Sequence, residues 1–382
     1  NLEQLDRISQ IIEEYDSQGF HRTGTDTDHE SANWLAQKVH NLGLETVHEK
    51  FDLNRVIPIS CNLIIDNRVI EGLPMFDCIP TDSAGISGSI GNAGDDVDIA
   101  IIEIHHGAAG YTDELMEART SGIYKGIIAV TIGERPGLMA INTPDFNEHF
   151  GVPILQVSSE EKEFLSNISK TTATAKLVVN VELEESKSYN IVSGIKGQDS
   201  NLSPIVVMTP RSGWWHCASE RGGGIACWLE VMRAIKNEGS LRDVFFVATS
   251  AHELGAHGIH AFLGNRPEFV KEVDTWIHFG ANVGAAEAHG TRYSATNQDL
   301  IDKTDSLLKN HGVSQIESTI VGQILGRESA EVAKRGGTVI ALVGDNALFH
   351  LENDRCPQAV DVNKVAEYAN VFTELAFQFT TS

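Results

Sequence analysis

Between Pro204 and Leu263 two apolar runs, Ile205-Val206-Val207-Met208 and Val244-Phe245-Phe246-Val247-Ala248, each lead straight into reactive side chains. The first is followed by Arg211, Ser212, Trp214, Trp215, His216, Ser219, Glu220 and Arg221, and the second by His252, Glu253 and His257. Short apolar runs bounded by turn residues read as buried parallel strands. Ligands of open α/β sheets bind beyond the carboxyl ends of such strands. Polar chemistry at two successive strand ends is therefore a candidate site.

The rest of the chain extends this pattern. Helices are expected at Leu2–Tyr15 and Ser31–Leu42 and a strand at Leu44–Leu53, from their apolar spacing. From about Val56 to Glu184 the runs shorten into a small α/β pattern of their own, with a helix expected from Ser159 and capped by it. His105-His106 in this block read as loop residues, because no carboxylate partner is near. After Tyr189 strands (Asn190–Ile195, Ile205–Met208, Val244–Ala248, Thr275–Phe279, Thr338–Val343) alternate with helices up to Val362–Phe379. Such alternation predicts an α/β fold, a mainly parallel, mixed sheet sandwiched by helices. The expected division is 1–55 plus 185–382 for the larger domain and 56–184 for an inserted one, a comfortable division of 382 residues.

Composition excludes several partners. A net charge of -24 argues against nucleic acid and anionic membranes, which need basic patches. No apolar run reaches the ~20 residues that span a bilayer. The five cysteines are scattered without a C-x-x-C pair, so neither a disulfide framework nor a thiolate zinc site is expected, and a cytoplasmic setting is. A small-molecule or short peptide-like substrate fits this balance, and a homo-oligomer is compatible with it.

One metal motif fails on geometry. His252-Glu253 followed by His257 is H-E-x-x-x-H. Five residues at about 100° each set the second imidazole about 140° round a helix, off the face the first occupies.

Arg22-Thr23-Gly24-Thr25, the segment Tyr189–Gly197, and the frames Phe245–Phe262 and Gly326–Asp361 together resemble the zinc aminopeptidase and glutaminyl cyclase superfamily, metallopeptidase family twenty-eight. The block 56–184 resembles its protease-associated domain. The resemblance implies an aminopeptidase-like fold and a metal-dependent hydrolase. It also places the departures. Where that family has H-x-D this chain has Pro210 and Ser212, and Glu220-Arg221 replaces its Asp-Asn. His252 replaces its general base, while Glu253 keeps a ligand position. Ala281 stands at its later Asp, with Asn282 beside it, and His350 survives with Asp354 and Asp361 downstream.

Glu220, Glu253 and His350 match the three ligands of the one-zinc branch, so the resemblance implies at most one zinc on them. The alternative is a Glu220–Arg221 ion pair without metal. In a parallel sheet the three residues follow strands that share one edge and should converge. Carboxylates brought that close need a metal, Arg221 or a proton between them. His252 is the expected base, with Glu220, Arg221 and His216 as further catalytic candidates. Arg211 suits a substrate carboxylate, and Trp214, Trp215 and Asn282 are expected to line the pocket. Three functions follow from these residues. They are hydrolysis of an amide or peptide-like C–N bond in a small carboxylate-bearing substrate, a lyase or cyclising transferase on the same scaffold, and a non-catalytic ligand-binding protein.

Overall fold

The computed structural model describes residues 1–105, 111–144 and 146–382. The chain opens with two helices, Leu2–Asp16 and Asp26–His40. The second starts earlier than expected because Thr25 is its cap, its side chain accepting from the Asp28 amide. That bond satisfies one of the free N–H groups at a helix start.

The centre is the strand Ile205–Pro210. It pairs in parallel with Val244–Thr249 on one side and Thr275–Ala281 on the other, and Val339–Gly344 continues in parallel beyond. The apolar runs are unbroken because both faces are covered. Ile205 and Val207 pack into one buried cluster, with the helices Gly223–Glu238 and Val362–Thr380; Val206 and Met208 pack into another, with His257–Gly264 and Arg327–Lys334. This division follows the two-residue period of a strand. The α/β class and the mixed, mainly parallel central sheet are as expected. The sheet also has an edge not foreseen from sequence, Thr291–Ala295 antiparallel to Val339–Gly344, then Ile316–Ser318. Among the described residues no helix is long and apolar enough to cross a membrane.

The strands expected at Leu44–Leu53 and Asn190–Ile195 are the ends of two much longer ones, Thr46–Ile65 and Thr174–Ile195. These pair antiparallel from Thr46↔Ser193 to Ile64↔Lys176, with a register shift between Pro58 and Ser60. Ile191–Ile195 joins this ribbon to Val244–Ala248 of the central sheet. At its far end Ile86–Asn92 begins a further run, with Ile99–Ile104, Gly126–Thr131 and Ile154–Ser158 parallel to one another. A separate buried cluster, drawn from Cys61 to Val179, packs around these strands. The expected helix at Ser159 is a single turn followed by Lys162–Ile168; Ser158 is the cap, and Ser159 is hydrogen-bonded to Gly137 instead. His105 is exposed beside Glu103, and His106 lies outside the described residues.

Between Gly126–Thr131 and Ile154–Ser158 the chain runs back to the central sheet. Ala140, Ile141, Asn142 and Thr143 are buried there. The parallel central strands all end on that side, so the loops that follow them meet this strap.

Candidate active site

Glu253, after the strand Val244–Thr249, is fully buried, and its carboxylate accepts three hydrogen bonds from protein groups. Oε1 accepts from the Thr23 amide at 2.9 Å and the Thr23 hydroxyl at 2.8 Å, and Oε2 accepts from the Ser212 hydroxyl at 2.7 Å. Ser212 also receives the His252 amide at 3.3 Å, so one hydroxyl ties the two strand ends together.

Glu220 and His350 do come together. Glu220 Oε1 lies 3.1 Å from His350 Nε2 and 3.2 Å from Arg221 Nη2, and all three side chains are buried. None of these atoms completes a well-formed hydrogen bond. Burial raises the proton affinity of Glu220, but Arg221 and His350 outweigh it and hold the carboxyl below its usual range. His350 Nδ1 lies 2.7 Å from the Ala140 carbonyl, which can only accept, so Nδ1 carries a proton. Nε2 then needs a proton of its own, or a cation beside it, to face a carboxylate.

Glu220 is positioned by Asp354, which accepts from the Ser219 amide and hydroxyl and from the Glu220 amide at the start of the turn Ala218–Gly222. Burial pushes the Asp354 carboxyl up to about 6 against these bonds. The backbone here is strained. Cys217, Ala251, Ala256, Asn282 and His350 have φ between 52 and 60° without being glycine, a feature that gathers at functional sites.

The third group is His252, Glu328 and His278. His252 Nδ1 is 2.6 Å from Glu328 Oε1, and His278 Nε2 is 3.6 Å from Glu328 Oε2. Burial raises the proton affinity of Glu328, yet His252, then His278 and Arg221, hold its carboxyl below the usual range. Burial lowers His278 to about 4, although Glu328 opposes it. Sequence reasoning missed Glu328, which sits in the helix Arg327–Lys334 among charged neighbours. A signal for His278 was present, a polar residue inside the apolar run Trp276–Phe279.

Several expected residues are elsewhere. Arg211 is buried against Asp28 at 2.8 Å and donates to the Tyr189 carbonyl, so it is closed to a substrate. His216 is bonded to the Asp16 carbonyl and packs edge-on to Phe20, outside the centre. Asn282 donates to the Gly344 carbonyl and accepts from Asn346, bracing two strand ends. Trp214 is fully buried and donates to Asn142 of the strap. Trp215 donates to the His350 carbonyl and lines a cleft beside the site.

The zinc set expected on Glu220, Glu253 and His350 does not form. Among the described residues no three His, Cys, Asp or Glu side chains make a metal-binding group. Glu220 and His350 offer two donors, the carboxylate of Glu253 is taken by Thr23 and Ser212, and the Arg221 guanidinium already neutralises Glu220. A catalytic zinc takes three protein ligands, so the described residues do not fit one.

Comparison with known proteins agrees on the scaffold. No family model matches the chain. It is 24% identical over 259 residues to Aminopeptidase YwaD of Bacillus subtilis, which covers 64% of this chain and 54% of the relative; the match thus spans about half the relative's length. A zinc aminopeptidase from Bacillus subtilis superposes with a TM-score of 0.79 at 17% identity, covering 98% of this chain and 94% of that one. A Peptidase M28 precursor from Shewanella amazonensis gives 0.78 at 17% identity, covering 100% and 96%. An aminopeptidase from Aneurinibacillus gives 0.73 at 15%, covering 98% and 93%. The fold is that of the zinc aminopeptidases.

Proposed function

We propose that the chain is a hydrolase of amide or peptide-like C–N bonds that uses His252 as general base. The observation that carries this reading is the 2.6 Å contact between His252 Nδ1 and Glu328 Oε1. A carboxylate accepts, so Nδ1 donates, and the basic lone pair is left on Nε2. Glu328 and His278 are buried to 1% and 0% exposure, whereas the His252 side chain keeps 13%. It is the member of that group open to a water or a substrate. In this reading Nε2 takes the proton of a water attacking the carbonyl, Glu328 stabilises the imidazolium, and the proton returns to the leaving nitrogen. Similarity to an aminopeptidase supports the reaction type. The zinc of the related enzymes would supply carbonyl polarisation, but the donor set here does not fit it, and no step is assigned to it. The same reading assigns 1–55 and 185–382 to the catalytic body and 56–184 to a protease-associated-like insert, supported by the separate buried cluster of that segment.

The test is amine release from aminoacyl amides, short peptides and acyl amino acids. His252→Ala should lower kcat by ~10²- to 10⁴-fold, the usual worth of a general base, with an unchanged far-UV spectrum. Undiminished turnover in that variant would remove His252 from the mechanism.

A further inference from the structure

Arginines around this edge are paired with acids. Arg211, Arg221 and Arg355 lie 2.8, 3.2 and 2.8 Å from Asp28, Glu220 and Asp16. Among the described residues Arg22 has no such partner. Its Nε donates to the Trp214 carbonyl at 2.9 Å, and its guanidinium carbon lies 5.0 Å from the Phe20 ring centre and 4.9 Å from that of Trp215. One N–H is therefore spent on seating the group against two aromatic rings, which themselves meet edge to face. The terminal nitrogens, a fork that suits a carboxylate, have no hydrogen-bond partner among the described residues. Burial pulls its pKa down to about 10, with Glu253 and Glu352 pulling the other way. A half-buried cation with no counter-ion leaves room for a ligand anion to pair with it.

Arg22 lines a cavity of about 810 Å³ together with Gly72, Leu73, Leu138, Trp215 and Leu351. The cavity lies beside two segments of the site: Trp215, in its wall, bonds the His350 carbonyl, and Thr23, the residue after Arg22, bonds Glu253. Glu71, Glu160 and Glu352 also line it. They disfavour a second negative charge on the ligand.

Resting on the hydrolase reading, we propose that Arg22 receives the single carboxylate of the substrate, so that the substrate class is a monocarboxylate with a neutral or cationic body, such as an acyl amino acid or the C-terminal end of a short peptide. This gives Arg22 the role that sequence assigned to Arg211.

Calorimetric titration with N-acetyl-L-leucine, N-acetyl-L-leucinamide and N-acetyl-L-glutamate tests it. The leucine acid should bind and the amide and the dianion should not. Arg22→Met should weaken binding by about 10- to 100-fold, the worth of a hydrogen-bonded charge, and Arg22→Lys should fall between, keeping the charge but losing the fork. His252→Ala should bind as wild type does, so loss of turnover and loss of the carboxylate site are read separately. Equal binding of acid and amide, no binding of the acid, or wild-type affinity in Arg22→Met overturns the proposal. Should Arg22→Met not fold, Arg22→Lys decides, and wild-type affinity there overturns it.

Discussion

At the scale of single residues, Ser212 holds the most together. It donates to Glu253, accepts the amide of His252, and its carbonyl receives Arg221 Nε at 2.8 Å. Ser212→Ala leaves a buried carboxylate short of one donor and should cost ~1–3 kcal/mol, read from urea unfolding at pH 7. His278 gives a pH test. Its folded pKa, about 4, lies below the ordinary value of 6.5, so the unfolded chain binds the extra proton first. The stability it contributes is present above pH 6.5 and is lost as pH falls toward 4, at up to ~1.4 kcal/mol per unit. Asp354, raised to about 6, acts with the opposite sign between its ordinary value of 3.8 and 6, so the net slope of the wild type hides both. Comparing wild type with His278→Asn isolates the effect: the gap in unfolding free energy between them should shrink on acidification. A gap independent of pH would mean that His278 binds its proton equally well in the folded and the unfolded chain. Glu220, His252, Glu253 and His350 were legible in the sequence because each follows an apolar run. Glu328 was not, since a Glu in Arg-Glu-Ser-Ala-Glu-Val-Ala-Lys looks like part of a solvated helix face. Arg211 misled because a buried pairing with Asp28, 183 residues away, leaves no local signature.

At the scale of elements, the helix Gly223–Glu238 sets the depth of the site. A Cβ at Gly223 would meet the Val283 carbonyl oxygen at 1.8 Å, so the helix start packs directly on the backbone that follows the strand Thr275–Ala281. Gly223→Ala must push the helix away, costing ~1–3 kcal/mol or more. It should also displace Glu220, three residues earlier, so turnover should fall further than the loss of folded protein explains. A variant of wild-type stability and activity would show that the backbones can part freely. The central strands were readable because burial on both faces makes their apolar runs continuous. The ribbon was not: Thr46–Ile65 is buried at alternate and irregular positions, with Asn54, Arg55 and Pro58 inside it, and only its pairing with Thr174–Ile195 makes it one strand. The edge strand Thr291–Ala295 lacks an apolar run and is defined by its neighbour in the same way.

At the scale of the whole molecule, the fold of the zinc aminopeptidases is present, while the described residues form no zinc donor set. Protein purified without chelator should carry well under one zinc per chain, and EDTA should leave its unfolding temperature unchanged. One tightly held zinc by elemental analysis, or a drop of several degrees with EDTA, would contradict the reading of Arg221 as the resident cation. The global resemblance was legible from scattered short segments, but the closure over the site was not, because it depends on contacts between distant parts. The strap Ala140–Thr143 hangs at both ends from strands beyond the ribbon, yet its middle is bonded to His350, Trp214 and Glu253. Lifting it is therefore not the swing of a free loop. The load passes into two long paired strands whose one irregular point is the step between Pro58 and Ser60. They form a beam with a notch, and moving the strap away from the centre would have to bend that beam.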